Sequence, residues 1–303
     1  MLKPSGSWVA VCTPFNRDES IDLGGFRDLV AFQARWGTSG ILVMGSTGET
    51  TLLSPEERRL IIEQVVGYAK DAKIPAFFGC TCLTTKDTVA LSRYAEAAGA
   101  DGILLVVPPY VAPPQDAVYE FFRTVATSVR CPVAIYNNPS RVTVNIDAAT
   151  VLRLAEIENV VADKEAMGNL QQLEQVAAGS RGRLHVLVCD WPKFGIILPV
   201  LALGGHGTAN VAGNIIPKEM AALSRPWTSW KDVEEARNLY LEHVPILEAV
   251  YALSNPVAVK ACMNYLGLPA GPPRRPLLEM PAERFAPLKA TLDRFRLREK
   301  YGL

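Results

Sequence analysis

The sequence predicts an α/β protein, a (β/α)8 TIM barrel with a C-terminal helical extension. Three observations predict it. Eight short apolar runs recur, most of them separated by roughly 20 to 35 residues, about one βα unit each. The runs lack polar/apolar alternation, as expected of parallel strands buried on both faces. Amphipathic segments fill the intervals between them, the pattern of strands crossed over by helices. A doubly wound open sheet is the rival, but it usually has fewer strands and a Gly-rich phosphate turn after the first. Here the first run ends in Cys12-Thr13-Pro14-Phe15-Asn16, with no such turn.

Taken in order, the first strand lies near Trp8 (WVAVCT). A helix over 21–36 follows and turns Phe26, Leu29, Val30 and Phe32 toward a core. The second strand begins near Ile41 (ILVMG). Ser54-Pro55-Glu56-Glu57 then opens a helix: a capping Ser, Pro at the first helical position and Glu three residues after the Ser. Ile61, Ile62, Val65 and Val66 continue its apolar face. Further strands begin near Pro75 (PAFFGC), Gly102 (GILLVVP), Pro132 (PVAIYNN), Val160 (VVADKEA), Leu184 (LHVLVCD) and Gly204 (GGHGTANV). Helices are predicted at 85–98, 115–128, 147–156, 169–178 and 192–203, with Ala98-Gly99 and Gly179-Ser180 as stops. Beyond residue 217 the pattern is purely helical, at 218–223, 230–252, 256–265 and 281–299. The Pro/Gly/Arg stretch 268–276 is the clearest internal linker. The expected organisation is a barrel over 1–217 and a helical extension packed on it over 218–303.

The 303 residues suffice for one large core, and 49% hydrophobic with 20% charged residues is ordinary for a globular enzyme. Zero formal net charge recommends neither nucleic acid nor an anionic membrane as partner. No apolar stretch approaches the roughly 20 residues of a membrane helix, and the N-terminus has no apolar signal core, so a cytoplasmic location is expected. The six cysteines match no zinc pattern and read as small apolar residues in a reduced setting. The three histidines are too scattered to argue for a metal site, which also disfavours a metal-dependent aldolase.

The active site of such a barrel lies at the C-terminal ends of its strands. Lys164 ends the sixth run, after Val160-Val161-Ala162-Asp163. Inside a closed barrel it meets a low dielectric, which disfavours the ammonium form and leaves a neutral amine able to attack a ketone. Tyr136 ends the adjacent fifth run, and neighbouring strands are about 5 Å apart, so its phenol can pass protons to a lysine adduct. Gly45-Ser46-Thr47-Gly48 follows the second run; two glycines allow a tight turn whose N–H groups and hydroxyls suit a carboxylate. Arg141, in the loop after Tyr136, offers a fork of donors for a second carboxylate. Each has an ordinary alternative when read singly: a solvated lysine, a plain turn, a structural tyrosine, a surface arginine.

Together these segments are more specific. Gly45-Ser46-Thr47-Gly48-Glu49, Tyr136-Asn137-Asn138-Pro139-Ser140-Arg141 and Lys164-Glu165-Ala166-x-Gly168, with Thr13-Pro14, Gly204-Gly205-His206-Gly207 and Asn214, resemble the dihydrodipicolinate synthase / N-acetylneuraminate lyase family of class I pyruvate-dependent aldolases. The resemblance covers about residues 6–218. It implies Lys164 as the imine-forming residue, Tyr136 with Ser46 as proton shuttle, and Ser46 and Thr47 as the clamp on a 2-oxo acid carboxylate. Arg141, Gly48, Ala209 and Tyr110 complete the expected substrate-binding set. It implies an aldehyde co-substrate, a homo-oligomer (dimer or tetramer), and no metal or organic cofactor.

The chain departs from the family's pattern at several positions. The synthase branch usually carries two tyrosines after the fourth strand; here they read Tyr110-Val111, and valine carries no proton. Ser46 stands where that branch has threonine. Pro55, Arg58 and Leu83 lie where its lysine-feedback pocket expects polar or His groups. Asp163 stands where an apolar residue is normal, and alternation turns it toward the helices, where a buried carboxylate needs a partner. Arg141 favours a partner substrate with its own carboxylate, as in the synthase branch. The reaction expected is a Schiff-base lyase or aldolase step on pyruvate or a related 2-oxo acid. The alternatives are a 2-keto-3-deoxy sugar acid aldolase, a dehydratase/deaminase on a 2-oxo acid or cyclic imine, and a non-catalytic 2-oxo acid binding barrel.

Overall fold

A computed structural model describes residues 1–303. Eight strands, β1 (Gly6–Ala10), β2 (Gly40–Val43), β3 (Ala76–Gly79), β4 (Gly102–Val106), β5 (Val133–Asn137), β6 (Val160–Glu165), β7 (His185–Val188) and β8 (Gly207–Asn210), pair in parallel in sequence order. β8 closes on β1, so the sheet is a barrel without edges. Helices α1 (Leu23–Arg35), α2 (Pro55–Ala72), α3 (Thr85–Ala98), α4 (Gln115–Ala126), α5 (Pro139–Val142), α6 (Ala148–Leu154), α7 (Leu170–Ser180) and α8 (Ile197–Ala202) connect the strands. After β8 come only helices: α9 (Pro217–Leu223), α10 (Trp230–Ala249), α11 (Val257–Leu266), α12 (Ala282–Arg294) and α13 (Leu297–Tyr301). None is long and apolar enough to cross a membrane.

The sequence signals act where they were read. At the start of α2 the Glu57 N–H donates to Ser54 Oγ at 3.2 Å, and the Ser54 N–H donates to Glu57 Oε2 at 2.8 Å. Gly99 ends α3 at φ 93°. Three readings differ. The helix predicted over 192–203 forms only from Ile197, because the chain turns first through Gly195 at φ 60°. α7 runs past the expected end at 178 to Ser180, within the Gly179-Ser180 stop, and Arg181 caps it at φ 48°, with Gly182 following at φ 76°. The final helix is broken in two at Arg296, which adopts φ 51°.

The barrel floor is sealed by aromatic packing. Trp8 and Phe77 meet edge to face with centroids 4.9 Å apart. Trp8 packs over Gly40 and Phe77 over Gly102; a Cβ at either glycine would come within 2.7 Å and 2.5 Å of those rings. With this plug the inward residues are Leu42, Leu104 and Leu187 together with the small Ala10, Ala134, Ala162 and Ala209. The interior therefore opens only toward the C-terminal ends of the strands. His185 and His206 stack at 3.8 Å at the opposite, N-terminal end, away from that opening. A continuous core of strand, helix and C-terminal residues surrounds the barrel, from Val9 to Tyr301.

Candidate active site

Lys164 is 5% exposed and points into the barrel above Ala162. It joins none of the chain's ion pairs. Tyr136 is its direct cross-strand partner, and Lys164 Nζ lies 4.1 Å from the centre of the Tyr136 ring. That pairing depends on a bulge. Val133 pairs with Val160, but Ala134 pairs with Ala162, so Val161 is an extra residue on β6. Paired residues of parallel strands share a face, so the bulge sets Lys164, rather than Asp163, beside Tyr136 inside the barrel.

The Tyr136 oxygen has a defined hydrogen-bond polarity. Asn138 Nδ2 donates to it at 2.6 Å, and Asn138 is held in turn by Ser140 Oγ, which donates to Asn138 Oδ1 at 2.6 Å. An amide nitrogen only donates, so the phenol's own proton points elsewhere. Ser46 Oγ, 3.4 Å away, is its neighbour on the cavity side.

Ser46 and Thr47 sit in the turn after β2. The N–H groups of Ser46, Thr47 and Gly48 donate to no protein acceptor, whereas those of Glu49 and Thr50 bond back to Ser46 and Gly45 at 3.2 and 3.3 Å. Three free N–H groups with two hydroxyls suit an anion. Asn255, from the segment between α10 and α11, donates Nδ2 to Thr47 Oγ1 at 2.9 Å. The Thr47 hydroxyl proton is thereby left for a ligand. Arg141 lies at the rim, where its guanidinium donates to the Asn255 carbonyl at 3.2 Å.

Lys164, Tyr136, Ser46, Thr47, Arg141 and Ala209 all line one cavity of about 400 Å³. A neighbouring cavity of about 360 Å³ shares Ser46, Tyr136, Arg141 and Asn255 with it. One wall of the first is aromatic: Trp191 meets Phe194 edge to face at 4.7 Å and Tyr251 at 6.2 Å. Gly168 seats Phe194, since a Cβ there would stand 2.9 Å from the ring.

Two expected binding residues fall outside the cavity. Tyr110, on the loop after β4, has a left-handed φ of 79° and is 96% exposed in the single chain, lining neither cavity. Gly48 serves the turn instead: its carbonyl accepts from Thr13 Oγ1 at 2.7 Å, and a Cβ would lie 3.1 Å from Met44 backbone. Asn138, Asn255 and the Tyr251 wall went unassigned in the sequence. Asn138 lay within a recognised motif, but the other two come from a helical segment whose return to the barrel mouth has no local signal.

A second tier supports the pair from outside. Glu165 accepts from Asn137 Nδ2 at 2.9 Å and from Gln172 Nε2 at 3.2 Å, tying the ends of β5 and β6 together. Burial pushes its carboxyl up to about 7 against these hydrogen bonds. Asp163, fully buried among the outer core, has no hydrogen-bond partner on either oxygen. The partner expected for it is absent. Burial, and then the Glu165 charge, raise its carboxyl well above the usual range, favouring the neutral acid. Glu49 forms a buried ion pair with Lys260 of α11 at 2.6 Å, and its Oε2 accepts from the Arg274 N–H at 2.7 Å. No group of three or more His, Cys, Asp or Glu is placed to hold a metal ion.

The model of the dihydrodipicolinate synthetase family matches residues 3–294. The chain belongs to the dihydrodipicolinate synthetase family. It is 38% identical over 284 residues to the 4-hydroxy-tetrahydrodipicolinate synthase of Moorella thermoacetica, covering 94% of this chain and 96% of that one. It is 40% identical over 275 residues to the enzyme of the same name from Geotalea daltonii, covering 91% and 93%. The crystal structure of dihydrodipicolinate synthase from Aquifex aeolicus superposes with a TM-score of 0.92 at 35% identity, covering 97% of this chain and 99% of that chain. As a member of this family the chain is a Schiff-base lyase of the class I, pyruvate-dependent aldolase type.

Proposed function

We propose that the protein condenses pyruvate with a carboxylate-bearing aldehyde, a reaction of the 4-hydroxy-tetrahydrodipicolinate synthase type. The observation that carries this reading is the buried Lys164 amine against the ring of Tyr136, whose hydroxyl faces Ser46. The Lys164 nitrogen attacks the pyruvate carbonyl carbon; the C–N bond forms and the carbonyl electrons move to oxygen. Tyr136 delivers a proton as that oxygen leaves as water, with Ser46 sharing the proton, and the imine results. Loss of a methyl proton into the imine gives an enamine, whose carbon adds to the aldehyde. Hydrolysis then frees Lys164. The turn at Ser46 and Thr47 holds the pyruvate carboxylate, and Arg141 holds that of the aldehyde.

The same reading takes the protein as a cytoplasmic homo-oligomer. The support for the oligomer is the exposure of Tyr110 (96%) and Leu83 (73%), large side chains on the loops after the adjacent strands β4 and β3.

Borohydride treatment in the presence of pyruvate tests the central step. The expected result is a reduced pyruvate adduct on Lys164, seen by intact mass and lost in Lys164→Ala. No adduct on the native chain, or an adduct that survives that substitution, overturns the reading.

A further inference from the structure

Cys189 and Tyr251 on the cavity wall and Asp190 buried behind them form a connected row of titratable groups that the steps above leave unused. Strand alternation along β7 turns Leu187 inward beside Lys164, and Cys189 is the next inward position. The Cys189 N–H donates to the Glu165 carbonyl at 2.9 Å, so the residue stays in register with the end of β6. Lys164 and Cys189 line the same cavity, on neighbouring strands. Cys189 flanks Lys164 on the β7 side, as Tyr136 does on the β5 side.

The hydrogen bonds give this row a direction. Tyr251 Oη donates to Asp190 Oδ1 at 2.5 Å. Asp190 is fixed by backbone donors: Val211 N–H at 3.0 Å to each oxygen and Ala212 N–H at 2.7 Å to Oδ2. A phenol has one proton, and that of Tyr251 is committed to Asp190. The Cys189 thiol, 3.3 Å from the phenol oxygen, is therefore the donor in that contact. Sγ lies 3.8 Å from Asp190 Oδ1, so the shorter route to the carboxylate runs through Tyr251.

We propose that Cys189 is the exchange point of a second proton relay, with Tyr251 as the connecting hydroxyl and Asp190 as the terminal acceptor. The proposal rests on the imine chemistry of Lys164. When the amine has added to the carbonyl, the new C–N bond carries an ammonium. Its proton passes to Cys189 sulfur as the thiol proton moves to Tyr251 and the phenol proton to Asp190. The row then returns the proton to the departing oxygen, which leaves as water; nothing is oxidised and no proton is consumed. Burial pushes the Cys189 thiol up to about 11 and raises the Tyr251 phenol well above its usual range, so both carry protons without resting as anions. Burial also raises the Asp190 carboxyl, which suits it to hold the proton briefly. Tyr251 and Tyr136 are the two tyrosines lining the cavity, one on each side of the lysine.

The test uses the full chain and pyruvate alone. Two quantities are read: the rate of deuterium exchange into the pyruvate methyl group, and the fraction of chain trapped by borohydride after equilibration. Cys189→Ala and Tyr251→Phe should each slow exchange by about 10²-fold, the usual scale for losing an acid–base group, with the trapped fraction unchanged. Cys189→Ser, which keeps a donor and acceptor, should restore most of the rate. The Cys189→Ala/Tyr251→Phe double variant should be no slower than the slower single, because the groups act in series. The relay is overturned if Cys189→Ala exchanges within about threefold of the native chain, if Ser is as slow as Ala, or if the losses add. A trapped fraction that falls in step with the rate marks a structural role and also overturns it. A native chain that neither traps nor exchanges pyruvate would instead bring down the imine reading itself.

Discussion

Tyr136 stands directly opposite Lys164 because β6 carries one residue more than β5 over the same length. The extra residue, Val161, shifts the pairing below the two functional side chains. Without it the partner of Tyr136 would be Asp163, and the lysine would face the helices. The register therefore places the phenol and the amine on one wall at one height.

The Tyr136 hydroxyl is tested by Tyr136→Phe. The substitution removes the proton carrier and leaves the Asn138 amide without its acceptor. Turnover and methyl exchange should both fall by roughly 10²-fold or more. A variant within a few-fold of the native chain would remove Tyr136 from the proton path.

On the proposed mechanism, Arg141 serves the second half of the reaction alone. It lies at the rim and is held only through the Asn255 carbonyl, so Arg141→Ala should leave imine formation near native. Capture of the aldehyde should weaken, seen as a raised KM for the aldehyde with borohydride trapping intact. Equal loss in both assays would reject a role for Arg141 in gripping the second substrate.

Lys260 tests how the anion turn is held. Lys260→Met leaves the Glu49 carboxylate buried and unpaired, at a cost of about 3–5 kcal/mol. Urea unfolding should show a lower midpoint, and pyruvate binding should weaken as the turn loses its anchor. Adding Glu49→Gln should recover much of the stability, since no lone charge remains. A double variant less stable than Lys260→Met would contradict the pairing.

Asp163 gives a pH dependence with a fixed sign. The folded-state carboxyls of Asp163 and Glu165 both lie above their ordinary values of 3.8 and 4.5. The folded chain therefore binds more protons than the unfolded one from those values upward, to about 7 for Glu165 and to well above the usual carboxylate range for Asp163. The stability linked to them is full below that window and is lost as pH rises through it. Asp163→Val removes a buried acid with no partner. It should stabilise the chain by about 1–3 kcal/mol as an unsatisfied polar group is removed, with a larger gain at pH 8 than at pH 4, and should let the Glu165 carboxyl drop. Equal gains in urea unfolding at the two pH values would show that titration plays no part.

Much of the barrel is legible in local sequence because each βα unit carries its own signals. The cap at Ser54, the stop at Gly99 and the doubly apolar strands need no knowledge of the rest of the chain. Lys164 and Tyr136 are legible for the same reason, as consecutive strands in a barrel are neighbours. Asn255, Tyr251 and Lys260 are not, because each reaches the barrel mouth by a long-range return that no periodicity encodes. Tyr110 projects outside this chain's own cavity, and its direction depends on one left-handed dihedral after two prolines, a choice that composition does not reveal. Asp163 breaks the apolar rule of its strand face, and sequence alone supplies no partner because none exists.

The segment joining α10 to α11 supplies Tyr251 and Asn255 to the reaction chamber. On the proposed mechanism catalytic competence is thus spread across the whole polypeptide: the strands donate the reactive nitrogen, and the link between two late helices delivers groups that surround it. Exchanging only the strand-bearing half with that of a relative would mismatch the two contributions, even if the hybrid folded well. Substrate preference in this lineage can accordingly drift through changes far downstream of the lysine, without touching the chemistry it performs.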